Sequence, residues 1–235
     1  MYNHLLFDAD GTLFDFKAAE RFALEALFHE LEIEGTECVK ALYSELNHAI
    51  WLEFEQGTIT IEALKTERFR RFFDRLQLAY DPEKTSERYL DFLSRSNHLL
   101  PKARELLMAL RQRGYRLSLI TNGISRVQRG RLAATKTLSF FDHVVISEEI
   151  GSQKPDPAFF NALFTITGMD EEDRKRALVI GDSLSSDIKG AIGASLDSCW
   201  YNPDRTNAEP QQRPTYQIAS LDELLELLPK KAVTS

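Results

Sequence analysis

This sequence of 235 residues has few cysteines, no long apolar run and no excess of positive charge, and each deficit removes a class of function. Its two cysteines, Cys38 and Cys199, form no cluster with metal-ligand spacing, and the five histidines show none either. A chain of this size does not depend on disulfides, so a reducing, cytoplasmic setting is expected. No stretch approaches the run of about 20 apolar residues that crosses a bilayer. The first residues also lack the basic region, apolar core and cleavage site of a secretory signal. Lysine and arginine number 29 against 36 aspartates and glutamates, a formal charge of −7. That balance argues against nucleic-acid polymers and anionic membrane surfaces as partners, because both demand a basic face. There is no internal repeat and no low-complexity bias.

What is present is a hydrophobic fraction of 43%, enough for a core, in a chain long enough for a large domain plus a smaller one. Short apolar runs recur: Leu5-Leu6-Phe7, Leu117 to Ile120, Val144-Val145-Ile146, Leu178-Val179-Ile180 and Cys199-Trp200-Tyr201. Short, continuous and rich in β-branched residues, they suit strands covered on both faces in a parallel sheet. Residues 101–113, 125–134, 157–167 and 188–194 are long enough for crossover helices. Asp156-Pro157 has the chemistry of a helix start, and Ser220 with Glu223 reads as a capping box. Alternation of this kind predicts a doubly wound α/β domain. Residues 17–98 break the rhythm with helical patterns alone and read as an all-helical cap inserted into a core of residues 1–16 and 99–235. Within the cap, Phe69, Phe72, Phe73 and Leu76 form an apolar helix face, and Arg68, Arg71 and Arg75 are expected on its solvated side.

In an open α/β sheet, chemistry gathers at the C-terminal ends of the strands. Asp8 and Asp10 follow the first apolar run, and Thr121-Asn122-Gly123 follows the second. Lys154 lies in the loop after the third, and Gly181-Asp182-Ser183 with Asp187 follows the fourth. Asp8 and Asp10, both ionised, would repel each other, so the pair either caps a turn or serves a cation. Acids, a hydroxyl and a lysine converging on one crevice suit a hard, oxygen-ligated cation such as Mg²⁺ together with a phosphate.

Asp8-Ala9-Asp10-Gly11-Thr12-Leu13, then Thr121, then Lys154, then Gly181-Asp182 with Asp187, resembles the haloacid dehalogenase superfamily of phosphohydrolases over essentially the whole chain. The resemblance implies a Rossmann-like core with a helical cap, and an aspartyl-phosphate mechanism. It implies Asp8 as nucleophile and Asp10 as the acid that protonates the leaving oxygen and later activates water. Thr121 and Lys154 would hold phosphate oxygens, with Asn122 and Gly123 beside them. Mg²⁺ would be held by the Asp8 side chain, the Asp10 carbonyl and Asp182, while Asp187 and Ser183 would orient these groups. An acid at position 10 separates phosphatases and phosphomutases from the family's dehalogenases and transport ATPases.

The cap segment from Ala49 to Thr60, with Trp51, Phe54 and Gly57, is similar to that of bacterial pyrimidine 5′-nucleotidases, as are Ile146 to Glu149 and Cys199 to Asn202. This similarity implies pyrimidine nucleoside monophosphates as substrates, with Trp51 a candidate for stacking on the base. One position departs: Gly11 stands where close members often carry a larger polar or acidic residue. The alternatives are a phosphatase or mutase for phosphoglycolate or a sugar phosphate, and a non-catalytic binding protein that keeps the fold. A monomer or homodimer is expected.

Overall fold

The computed structural model describes residues 2–208 and 212–230. In chain order the elements are β1 (His4–Phe7), α1 (Phe16–Glu30), α2 (Glu37–Glu55), α3 (Ile61–Leu76), α4 (Pro82–Ser94), α5 (Ala103–Gln112) and β2 (Arg116–Thr121). Next come α6 (Ser125–Ala134), β3 (His143–Ile146), α7 (Ser147–Ile150), α8 (Pro157–Thr167), α9 (Glu171–Arg174) and β4 (Ala177–Gly181). A π-turn over Leu184–Ile188 leads into α10 (Lys189–Gly193), followed by β5 (Asp197–Tyr201), β6 (Tyr216–Ile218) and α11 (Leu224–Leu227). The described residues divide into two compact units, one from 1–15, 98–125 and 135–235, the other from 16–97 and 126–134. No helix among them is long and apolar enough to cross a membrane.

The first unit is a doubly wound α/β domain. Its sheet is parallel throughout, in the order β3-β2-β1-β4-β5-β6. The chain winds outward from β1 through β2 to β3, then returns to β4 on the other side of β1. The switch point therefore lies between β1 and β4, where such sheets open a crevice beyond the carboxyl ends of the strands. The central strands are covered on both faces, as their unbroken apolar runs require. Leu6, Ile120, Val145 and Val179 pack with Phe159, Phe160 and Leu163 of α8 on one face. Leu5, Phe7, Leu119, Leu178 and Ile180 are buried on the other. Asp156 caps α8 by accepting from the Ala158 N–H at 2.8 Å, with Pro157 in the first turn, an arrangement that stabilises a helix by about 1 kcal/mol. The capping box at Ser220 and Glu223 is formed and opens the turn that runs into α11. The edge strand β6, only three residues long, carries no apolar run and was not among the expected strands.

The second unit is helical, α1 to α4 together with most of α6. Although α6 links β2 to β3, it packs with the helices. Gly130 lies so close to α4 that a Cβ there would stand 2.6 Å from the Ser94 carbonyl oxygen, and Arg126 pairs with Glu87 at 2.7 Å. An α6 built only as a crossover helix of the core was the expectation; the contacts of its own side chains decide otherwise.

The expected solvated arginine face also needs correction. Arg75 is exposed and Arg71 is partly exposed, paired with Glu53 and Glu67, but Arg68 is only 2% exposed. Its guanidinium sits 4.8 Å from the ring centre of Tyr89 and 5.5 Å from that of Phe69, and it donates to Asn47 Oδ1. Asn47 in turn donates to Glu20, a buried carboxyl pushed upward by burial and restrained by Ser44, Asn47 and Arg68. A long planar cation can be buried where aromatic faces and a carboxylate receive it. Of the expected apolar face, Phe69, Phe72 and Phe73 are buried and Leu76 is half-buried.

Candidate active site

Asp8, Thr121 and Asp182 stand at the ends of strands of the α/β unit, and Lys154 and Asp187 lie in the segments that follow β3 and β4. Register brings Phe7 of β1 level with Leu119 of β2 and Ile180 of β4, so the residues that follow emerge at one height. Asp8 follows β1, with its N–H donating to the Ile180 carbonyl at 2.8 Å. Thr121 ends β2, and Asp182 follows β4.

Lys154 organises the centre. It is 1% exposed, and its ammonium donates to Asp8 Oδ1 at 2.7 Å, to Asp187 Oδ1 at 2.7 Å and to the Ile120 carbonyl at 2.9 Å. All three donor hydrogens are thus used, which fixes the ammonium as firmly as a side chain can be fixed. Its backbone is clamped as well. Asn122 Oδ1 accepts from the Lys154 N–H and Asn122 Nδ2 donates to the Lys154 carbonyl, both at 2.8 Å. In this arrangement the Asn122 amide is committed to placing Lys154. Thr121 Oγ1 accepts from the Gly123 N–H at 3.0 Å, tying down the turn that follows β2.

Asp187 lies in the π-turn, the kind of local widening that recurs at functional sites. Its Oδ1 takes Lys154, and its Oδ2 accepts from the Ser183 N–H at 3.1 Å. The cap of the turn is Ser183, whose Oγ accepts from the Ser186 N–H at 3.1 Å. Gly181 makes room for it: a Cβ there would lie 2.2 Å from Asp187 Oδ2.

Asp182 is held by groups that sequence reasoning did not assign. Thr12 Oγ1 donates to Asp182 Oδ1 at 3.1 Å, and the indole N–H of Trp200 donates to the Asp182 carbonyl at 2.8 Å. Thr12 stands inside the first motif, and an apolar strand end rich in aromatics was the only visible sign of Trp200. Gly11 has a positive φ of 83°, and a Cβ there would fall 2.4 Å from Asp182 Oδ2. Glycine is therefore demanded in this chain both by the turn and by the carboxylate beside it.

Asp8, Asp182 and Asp187 each offer an oxygen within 4.8 Å of the others. One ammonium faces three carboxylates, so negative charge is in excess. Burial, opposed by Lys154 but reinforced by Asp187 and Asp182, pushes the Asp8 carboxyl well above the usual range. Burial and then the repulsion of Asp187 push Asp182 up to about 7. For Lys154, burial works against the charge, but Asp187 and Asp8 outweigh it and hold the ammonium above its ordinary value. A hard divalent cation on these oxygens would remove the excess charge, and the all-oxygen donor set fits Mg²⁺. Asp10, half-buried, lies two residues beyond Asp8 in the turn closed by the Gly11 N–H and the Phe14 carbonyl. Trp51 belongs to the helical unit, where it is half-buried and stands edge-on to Phe54 at 5.6 Å, beside Ile50 and Leu64.

A model of the haloacid dehalogenase-like hydrolases matches residues 2–195. The chain belongs to this family. As a haloacid dehalogenase-like hydrolase it is an enzyme, and its similarity to known members runs nearly end to end. It is 38% identical over 230 residues to the pyrimidine 5′-nucleotidase PynA of Streptococcus pneumoniae, covering 97% of this chain and 96% of that one. It is 34% identical over 229 residues to the pyrimidine 5′-nucleotidase YjjG of Escherichia coli, covering 97% and 99%. The crystal structure of the HAD-hydrolase YfnB of Bacillus subtilis bound to magnesium superposes with a TM-score of 0.89 at 37% identity, over 97% of this chain and 98% of that one.

Proposed function

We propose that this hydrolase is a Mg²⁺-dependent phosphomonoesterase acting on pyrimidine nucleoside 5′-monophosphates. The observation that carries the reaction class is the buried Lys154 ammonium bridging Asp8 and Asp187 beside Asp182. The substrate class rests on the identity to PynA and YjjG over nearly their full length and on the likeness of the cap segment around Trp51.

Asp8 Oδ1 is held by Lys154, while Oδ2 accepts no hydrogen bond among the described residues and is the oxygen that attacks phosphorus. The phosphorus–O5′ bond breaks as the bond to Asp8 forms, and Asp10 gives its proton to the departing nucleoside oxygen. Asp10, now ionised, takes a proton from water, which attacks the aspartyl-phosphate at phosphorus and releases inorganic phosphate with Asp8 restored. Thr121 Oγ1 holds a non-bridging oxygen as its charge grows, while the Lys154 ammonium, its hydrogens committed to Asp8, Asp187 and the Ile120 carbonyl, offsets that charge from beside the phosphoryl group. The Asp8 and Asp182 side chains and the Asp10 carbonyl would hold Mg²⁺, which when bound supplies charge neutralisation at the phosphoryl group. Asp187, with both oxygens already engaged, keeps Lys154 in place.

The test is phosphate release with Mg²⁺ and with chelator from uridine, deoxyuridine, thymidine, cytidine and purine monophosphates, phosphoglycolate and glucose phosphates. Metal-dependent release favouring the pyrimidine monophosphates is expected, and Asp8→Asn abolishes it while leaving the fold intact. Preference for phosphoglycolate or a sugar phosphate would keep the mechanism and remove the substrate assignment. A fully active Asp8→Asn protein would remove the mechanism.

A further inference from the structure

Asp182 is the most exposed of the three clustered carboxylates: Asp8 and Asp187 are buried, Asp182 is half-buried. It is also repelled by Asp187, the largest influence on it after burial. A carboxylate in that position turns outward unless its backbone is pinned. The β4–β5 ladder ends at the pair Gly181 and Trp200, so the Asp182 carbonyl lies one residue past the last registered pair. The indole of Trp200, 4% exposed, fills that role with a 2.8 Å hydrogen bond. Thr12 fixes the carboxylate end at 3.1 Å, and Gly11 leaves the carboxylate just enough space. The residue is therefore gripped at both ends, by Thr12 of the turn that follows β1 and by Trp200 of β5.

Resting on the Mg²⁺ site proposed above, we propose that Trp200 is a positioning residue for metal binding: its indole N–H presets Asp182 for the cation, and its fluorescence reports the cation's arrival. A ligand already in place loses less freedom on binding, and groups that hydrogen-bond a metal ligand from behind typically account for 10- to 100-fold in metal affinity. Phenylalanine keeps most of the ring and removes only the donor.

Two measurements test this. Calorimetric titration of Mg²⁺ into the substrate-free wild-type and Trp200→Phe proteins should show the dissociation constant raised about tenfold in the variant. At saturating Mg²⁺, kcat should stay within about twofold of wild type and KM for the nucleotide should not move, a split that general loosening of the fold would not produce. In a Trp51→Phe protein, where Trp200 is the sole tryptophan, Mg²⁺ should shift the emission with the same midpoint as the calorimetric curve. This second measurement keeps Trp200 intact and decides the matter even where Trp200→Phe does not fold. Equal Mg²⁺ affinity in wild type and Trp200→Phe, or emission that Mg²⁺ leaves unchanged while calorimetry shows binding, overturns the role of Trp200 alone. A wild-type protein that binds no Mg²⁺ overturns the proposed metal dependence and this inference with it.

Discussion

Replacing Lys154 with methionine keeps the length of the side chain and removes its charge. The ammonium is 1% exposed and makes 2.7 Å bonds to both Asp8 and Asp187, so the variant leaves two buried carboxylates facing each other with no counter-charge. Removing one partner of such a buried pair costs about 3–5 kcal/mol, because the remaining charge stays desolvated. With a urea dependence of about 2 kcal/mol per M, the unfolding midpoint of the α/β unit falls by about 1.5–2.5 M. The assay is urea unfolding followed by far-UV circular dichroism in chelator, at pH 8 and again at pH 5. Without Lys154 the Asp8 carboxyl moves still further above its usual range. Protonation at pH 5 then relieves the repulsion, and the loss is smaller there than at pH 8. A midpoint within about 0.3 M of wild type at pH 8 would refute the picture of a charged, buried network. So would a loss equal at both pH values, since packing alone has no such dependence. The double variant Lys154→Met, Asp187→Asn should recover part of the loss, because it removes one of the stranded charges.

The metal-free protein has a pH dependence of definite sign. Asp182 moves from an ordinary 3.8 to about 7 on folding, and Asp8 moves in the same direction, so the folded state binds more protons than the unfolded one in that window. Thermal unfolding in chelator should show stability falling as pH rises from about 4 through 7, and Mg²⁺ should raise Tm more at pH 7.5 than at pH 5. A metal-free Tm that climbs across this range would contradict the assignment. In the helical unit, Arg68→Met should cost about 2–4 kcal/mol by removing a guanidinium packed on Tyr89 and Phe69 and by stranding Glu20. Arg71→Ala, which breaks partly exposed pairs with Glu53 and Glu67, should cost less than about 1 kcal/mol in the same urea titration.

Local chemistry was legible in the chain. Apolar runs of strand length, the Asp156-Pro157 helix start and the Ser220–Glu223 capping box depend on neighbours a few residues away, and the structure forms each of them. The motif residues were legible for a related reason: a parallel sheet puts everything that follows its strands at one edge, so order along the chain foretells assembly in space. Burial of a polar side chain is different, because it depends on partners far off in sequence. Arg68 sits on a helix face that looks solvated until Tyr89 and Asn47 close over it. Asn122 looked like part of a phosphate turn, yet its amide is spent on Lys154, 32 residues away. Trp200 read as a strand residue, and only the pairing of β5 with β4 carries its indole to the Asp182 carbonyl. The sequence by itself thus determined which polar residues follow the strands and meet at one edge of the sheet. The tertiary structure alone decided which groups hold them in place, since that depends on contacts no local pattern encodes.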